Sequence, residues 1–245
     1  IFTEKSMKAM ILAAGRGERM RPLTDACPKP LLKVRGRPLI VWHILNLVRA
    51  GITEIVINHS HLGHMLEAEL GDGSAYGARI VYSHEPVPLE TAGGIANALH
   101  LLGNEPFVAL SGDIYAPYFD FSQVFDALPE NDAVGQPLPA DKRDIAWLYL
   151  TPNPWHNPEG DFGMDMYTLS NDGDPKWNFG NIGVYRPEMF DGIQPGEFVK
   201  FGPLMRKFIA QGRVGGEIYT GPWVNVGTVA QLEELNAPPA KRAGA

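Results

Sequence analysis

The chain has 245 residues and a mass of 26.9 kDa, is 44% hydrophobic, and carries a formal charge of −7 at pH 7. That length suits one α/β domain or two small ones, and a globule of this size buries roughly 70–75% of its unfolded surface without needing staples. The acidic balance excludes a general nucleic-acid binder, the single cysteine, Cys27, excludes an intramolecular disulfide, and no apolar run approaches the ~20 residues of a membrane-spanning helix.

In chain order, residues 1–6 read as an expression remnant ahead of Met7, residues 7–236 as a single domain, and residues 237–245 as a small polar tail. No charged and apolar leader pattern is visible, which with the lone cysteine leads to an expected cytoplasmic, soluble protein. The apolar run 9–14 predicts a buried strand. Gly15 and Gly17 break it in a loop that also holds Arg16, Arg19 and Arg21. Pro38 opens a helix to about residue 50, with Gly51 as its stop. Then come a strand at 54–58, a helix at 62–70, a strand at 78–83, a helix at 92–102 behind Thr91, and a buried strand at 106–111 ending on Gly112-Asp113. This alternation predicts an α/β fold: a Rossmann-like, doubly wound, mostly parallel sheet with helices on both faces.

Past residue 120 the pattern changes. A helix at 121–128 and a strand at 144–150 precede a proline-rich loop at 151–160. Short strands follow from 162 to 185, with Asn171-Asp172-Gly173 as a hairpin turn. A helix at 201–210, a strand at 214–219 and a helix at 229–236 complete the chain. The half from 121 to 236 is therefore expected to be more antiparallel than the half from 7 to 120. No internal repeat or heptad is visible.

Charge is uneven. Residues 1–40 hold nine Lys/Arg and three Asp/Glu, a surplus of +6 that leaves −13 on the remainder. An apolar strand feeding a glycine- and arginine-rich loop suggests a phosphate cradle, since glycine lets backbone N–H groups approach an anion that the cations neutralise. Gly15-Arg16-Gly17 begins a G-x-G pattern, but Met20 holds the third glycine's place and no acid follows about twenty residues later, so the dinucleotide fingerprint fails. No G-K-[ST] closes the loop, so the P-loop fails too. What remains is L-A-A-G-x-G-x-R-M-x-P-L-T over Leu12–Thr24, followed by Pro28-Lys29-Pro30. It resembles the signature of the sugar nucleotidyltransferases, the nucleoside-diphosphate-sugar pyrophosphorylases.

That resemblance implies that Leu12, Ala13, Ala14, Gly15, Gly17 and Arg19 hold the β- and γ-phosphates of a nucleoside triphosphate, while Lys29 reaches the phosphate undergoing substitution. Fixed cations suit such chemistry, because in-line attack at phosphorus spreads negative charge over oxygens. Lys29 is expected to be an exposed loop lysine. Gly112-Asp113 matches the family's G-D, which implies Mg²⁺ on Asp113, with Asn225 of Trp223-Val-Asn-Val-Gly-Thr228 as the second ligand where many relatives have Asp. The base would be read by Pro86–Gly94, with Thr91 and Gly93 carried over, Glu90 standing where glycine is commoner, and Glu85 where glutamine is frequent. The sugar end would use Asn181 and Gly163, and Lys176 would replace the lysine of an absent Glu-Lys-Pro element. His59, His61 and His64 have loose metal-like spacing, and are read as solvated or base-facing instead.

The implied reaction joins UTP and a sugar 1-phosphate to give a UDP-sugar and pyrophosphate, with Arg19, Lys29 and Asp113 as the catalytic set. The element Leu89–Gly94 and the run Asn157–Phe162 resemble those of the compact uridylyltransferases that act on N-acetylmuramic acid 1-phosphate, which implies that sugar and cell-wall sugar recycling; mannose 1-phosphate with GTP and glucose 1-phosphate are alternatives. A lactyl carboxylate on the sugar would need a cation, for which Arg206, Lys207, Lys142 and Arg143 are candidates. A regulatory subunit that binds without turnover and a cytidylyltransferase for a small alcohol phosphate are the readings outside this class. The expected partners are the two substrates alone, with no nucleic acid and no membrane, in a monomer or small homo-oligomer.

Overall fold

The computed structural model describes residues 6–238. The remnant assignment for residues 1–5 and the tail from residue 239 lie outside the described residues. Strand β1 (Ala9–Leu12) runs into the glycine loop, a helical turn α1 (Leu23–Ala26), and a small hairpin of β2 (Lys33–Val34) and β3 (Arg37–Pro38). Helix α2 (Leu39–Arg49) begins after Pro38, whose fixed φ and missing N–H suit a helix entry, and Gly51 follows its end at φ +85°. Then come β4 (Glu54–His59), α3 (Gly63–Leu70), β5 (Arg79–His84), α4 (Glu90–Leu102), β6 (Phe107–Ser111) and β7 (Ile114–Tyr115). The second half contains β8 (Ala146–Thr151), β9 (Phe162–Asp165), β10 (Thr168–Ser170), β11 (Lys176–Tyr185), α5 (Phe201–Ala210), β12 (Val214–Ile218), β13 (Val224–Asn225) and α6 (Val229–Asn236).

Nine strands form one sheet in the order β5-β4-β1-β6-β11-β8-β12-β10-β9. The first four are parallel, and the sheet turns antiparallel where β11 joins β6. The sheet thus passes the expected boundary near residue 120 without a break. From β1 the chain builds outward to β4 and β5, then returns to place β6 on the other side of β1. The glycine loop therefore leaves the sheet at the point where strand order reverses, where open α/β sheets bind their ligands.

Side-chain alternation along β1 explains the two layers. Ala9 and Ile11 pack with Ile40, Ile44 and Leu47 of α2 and Leu66 and Leu70 of α3 on one face. Met10, in between, packs with Ala92, Ile95 and Ala96 of α4 and Met205, Phe208 and Ile209 of α5 on the other. Each of these fully buried large side chains contributes about 1.5–3 kcal/mol relative to exposure. A separate small cluster of Met20, Val34, Leu39, Val226 and Leu232 pins the glycine loop to α6.

Two local expectations are corrected. Residues 121–126 form 3₁₀ turns rather than a helix to 128, with Asp120 accepting from the Ser122 N–H at the start. The hairpin turn lies at Met166-Tyr167, between the paired strands β9 and β10 and with Met166 at φ +51°, while Asn171-Asp172-Gly173 links β10 to β11. Gly173 packs there against Gly163, where a Cβ on Gly163 would lie 2.4 Å from the Gly173 Cα. Backbone contact, and not turn chemistry, explains that pair of glycines.

Candidate active site

The carboxyl ends of β1, β4, β5 and β6 open on a cleft of about 540 Å³, within the usual range for small-molecule sites. Leu12, Ala13, Ala14, Gly15, Gly17, Arg19, Lys29, Glu85, Glu90, Thr91 and Asp113 all line it. A second cleft, of about 480 Å³, shares Leu12, Glu90, Thr91 and Ser111 with the first and adds Asn181, Lys200 and Phe201. The two are compartments of one groove, one over the glycine loop and one over β11 and the start of α5.

Gly17 shapes the loop. It sits at φ +67°, and a Cβ there would lie 2.9 Å from Thr24 Cγ2 and 3.2 Å from Lys29 Cβ. The Thr24 hydroxyl donates to the Gly17 carbonyl at 2.8 Å, closing the loop onto the segment that carries Lys29. Lys29 is not the exposed lysine expected: it is 7% exposed, and its Nζ lies 2.5 Å from Asp113 Oδ2. The Ser111 hydroxyl donates to Asp113 Oδ1 at 2.6 Å. Burial would raise the Asp113 carboxyl, but the Lys29 ammonium and the hydrogen bonds from Lys29 and Ser111 outweigh it and hold the carboxyl below its ordinary range. Arg19 reaches across to the late Gly227, where a Cβ would sit 3.1 Å from its Nη2. Arg16 lines the cleft, whereas Arg21 pairs with Asp25 at the surface.

Asp113 and Asn225 are brought side by side through the backbone. β13 pairs with β7 so that Asn225 stands opposite Ile114, and the Val226 N–H donates to the Asp113 carbonyl at 2.9 Å. Asn225 Oδ1 is buried and has no hydrogen-bond partner among the described residues. Asn225 lines neither cleft, yet its buried orphan oxygen and the ionised Asp113 carboxylate are each the kind of oxygen donor that a hard cation takes. Thr228 and Gln231 then cap α6 reciprocally, the Gln231 N–H donating to Thr228 and the Gly227 N–H donating to Gln231.

The loop between β5 and α4 is braced by a residue that sequence reasoning missed. Asn58, at the end of β4, accepts from the Ala13 N–H at 2.8 Å and donates to Glu85 at 2.7 Å. Glu85 also accepts from the Leu89 N–H at 2.9 Å; burial raises its carboxyl above the ordinary value. A polar residue closing an apolar strand at the ligand edge was the available signal. Glu90 sits at φ +64°, the left-handed region that the commoner glycine would occupy freely.

Several expected residues stand elsewhere. Gly93 does not line the cleft; a Cβ on it would lie 2.2 Å from the Glu197 carbonyl, so it serves the packing of α4 on residues 197–199. Gly112 lets β6 close on β1, its N–H donating to the Leu12 carbonyl at 2.8 Å. Gly163 and Lys176 face each other across β9 and β11 and line neither cleft. Asn181 does line the second compartment, carried at φ +56° within the register shift of β11. His59 is buried and paired with Glu67 at 2.7 Å rather than solvated or base-facing, and His61 lies against the Thr24 carbonyl. Among the described residues no three His, Cys, Asp or Glu gather as a metal site, and no helix is long and apolar enough to cross a membrane.

Residues 8–138 match the nucleotidyl transferase family model. The chain belongs to that family. It is 51% identical, over 94% of its length and 97% of the relative's, to the N-acetylmuramate alpha-1-phosphate uridylyltransferase of Neisseria meningitidis serogroup B. It is 33% identical to the protein of that name in Caulobacter vibrioides, over 89% and 91% of the two chains. A crystal structure of a protein from Bacillus anthracis superposes with a TM-score of 0.77 over 94% of each chain at 21% identity, which shows the shared fold. As an enzyme of this family the chain is a nucleotidyltransferase.

Proposed function

We propose that this chain transfers the uridylyl group of UTP to N-acetylmuramate α-1-phosphate, giving UDP-N-acetylmuramate and pyrophosphate, in the cytoplasmic recycling of cell-wall sugars. The observation that carries nucleotidyl transfer is the meeting of Lys29 and Asp113, 84 positions apart, beside the glycine loop. The choice of nucleotide and sugar rests on the two uridylyltransferases that the chain resembles over nearly its whole length.

The triphosphate lies over the glycine loop, its outer phosphates facing loop N–H groups and Arg19, with Lys29 at the α-phosphate. The base lies toward Thr91, with Asn58 and Glu85 fixing the loop that presents it. The sugar phosphate enters from the β11 side past Asn181, and one of its oxygens attacks the α-phosphorus in line while the bond to the β-phosphate breaks. A phosphate monoester is already ionised at pH 7, so no side-chain nucleophile or base is required. Asp113 and Asn225 would hold Mg²⁺, which supplies charge neutralisation at the reacting phosphates. Positioning and electrostatics provide the rest of the rate.

Incubating the full chain with UTP, N-acetylmuramate α-1-phosphate and Mg²⁺ and resolving the nucleotides by chromatography tests the reading. UDP-N-acetylmuramate should appear with one pyrophosphate per product. Absence of that product, or its undiminished formation by Asp113→Ala, contradicts the reading.

A further inference from the structure

A sugar that carries both a phosphate and a lactyl carboxylate brings two anions into the groove. The first compartment has Lys29 and Arg19 for phosphates. The four cations that the sequence offered for the second anion are engaged elsewhere or stand outside both compartments. Arg143 pairs with Glu130, Arg206 lies over the Phe162 ring and reaches the Asp161 carbonyl, and Lys207 lies over Phe208. Lys142 is exposed and lines neither compartment.

One cation does line the sugar-side compartment among the described residues: Lys200. Among the described residues it forms no ion pair. Its backbone is held on both sides. The Val199 N–H donates to the Leu89 carbonyl at 3.1 Å, and the Val199 carbonyl accepts from the Gly93 N–H at 3.1 Å. Phe201 stacks on Phe179 at 5.9 Å and meets Tyr185 edge-on at 5.7 Å. The absent side chain of Gly93 is what allows residues 197–199 to seat on α4. The segment is therefore tied both to the base loop and to β11, and it makes Lys200, an exposed lysine, the one cation lining a compartment whose wall is otherwise Ile95, Ala109, Phe179 and Phe201 with a few neutral polar groups and Glu90.

We propose that Lys200 is a specificity-determining residue that pairs with the sugar's carboxylate, and so selects an acidic hexosamine phosphate over its neutral counterpart. This inference rests on the uridylyl-transfer reading above. A carboxylate entering beside an unpaired ammonium gains a charge-assisted hydrogen bond that an unsubstituted hydroxyl does not. Because the partner is on the substrate, the effect belongs to the choice between sugars and not to the chemical step.

The test measures binding of UDP-N-acetylmuramate and UDP-N-acetylglucosamine, which differ by the lactyl ether, to the full-length wild type, Lys200→Ala and Lys200→Arg by calorimetry, with melting midpoints as a folding control. Wild type should favour the muramyl nucleotide. Lys200→Ala should lose about tenfold or more for that ligand, change less than twofold for the other, and recover most of the loss in Lys200→Arg. Equal losses for both ligands, or none for either, overturn the inference while uridylyl transfer by the wild type still stands. If the wild type makes no UDP-N-acetylmuramate, the functional reading falls first and this one with it.

Discussion

Glu90→Gly separates strain that is kept for function from strain that merely exists. Glu90 stands at φ +64° and lines both compartments of the groove. Holding a non-glycine residue in the left-handed region costs about 1–2 kcal/mol, and glycine gives back about 0.5–1 kcal/mol through the freer unfolded chain. The variant should therefore be more stable by roughly 0.5–1 kcal/mol, which for a chain of this size raises Tm by about 1–4 °C. The same change removes a carboxylate that can accept from sugar or ribose hydroxyls at the junction. Hydrogen bonds to charged groups are worth about 1.5–3 kcal/mol, so kcat/KM should fall by about 10- to 100-fold. Scanning calorimetry and steady-state pyrophosphate release measure the two effects on one preparation. A raised Tm with unchanged kcat/KM would refute the functional half of the reasoning, and a lowered Tm would refute the strain half.

Asp113→Ala should leave a folded protein whose turnover is down by about 10²-fold or more, the scale of removing a charge-stabilising group; near-normal kcat at saturating Mg²⁺ would exclude Asp113 as a metal ligand. Gly17→Ala combines a left-handed φ with a Cβ 2.9 Å from Thr24 and 3.2 Å from Lys29; a Tm drop of several degrees, from about 1–2 kcal/mol of strain, should accompany a fall in kcat, and a variant as active as wild type would show that the loop does not position Lys29. His43, buried on α2 with its Nε2 2.8 Å from the Ile114 carbonyl, has its pKa pushed down to about 4 by desolvation. The unfolded chain binds that proton at its ordinary value and the folded chain does not, so stability is lost as pH falls from about 6.5 toward 4, by roughly 3 kcal/mol from this group. Denaturation of His43→Gln across that interval should show a shallower acid dependence; an identical slope would remove His43 as its source.

Much of this architecture is legible in the sequence because it is local. The alternation of short apolar runs with helical spacing places β1, α2, β4, α4, β6, α5 and α6 within a residue or two of their observed positions, and the glycine loop, Lys29 and Asp113, all singled out in the sequence, line one cleft. What escapes is decided by distant backbone. Asn171-Asp172-Gly173 has the composition of a hairpin turn, yet the turn falls at Met166-Tyr167, because β9 must pair with both β10 and β11. Gly93 looks like a residue kept small for a ligand, but the group that approaches it is the Glu197 carbonyl. The burial of Lys29 and the place of Lys200 depend on segments more than 80 positions away, which no local pattern encodes.

The most direct test of the central claim is pyrophosphate release from a matrix of UTP, GTP, CTP and dTTP against N-acetylmuramate, N-acetylglucosamine, mannose and glucose 1-phosphates, with Asp113→Ala run in parallel. The account predicts the highest kcat/KM for UTP with N-acetylmuramate α-1-phosphate, and its collapse in the variant. A maximum at another base or sugar would contradict the substrate assignment, and release that survives in Asp113→Ala would contradict the site itself.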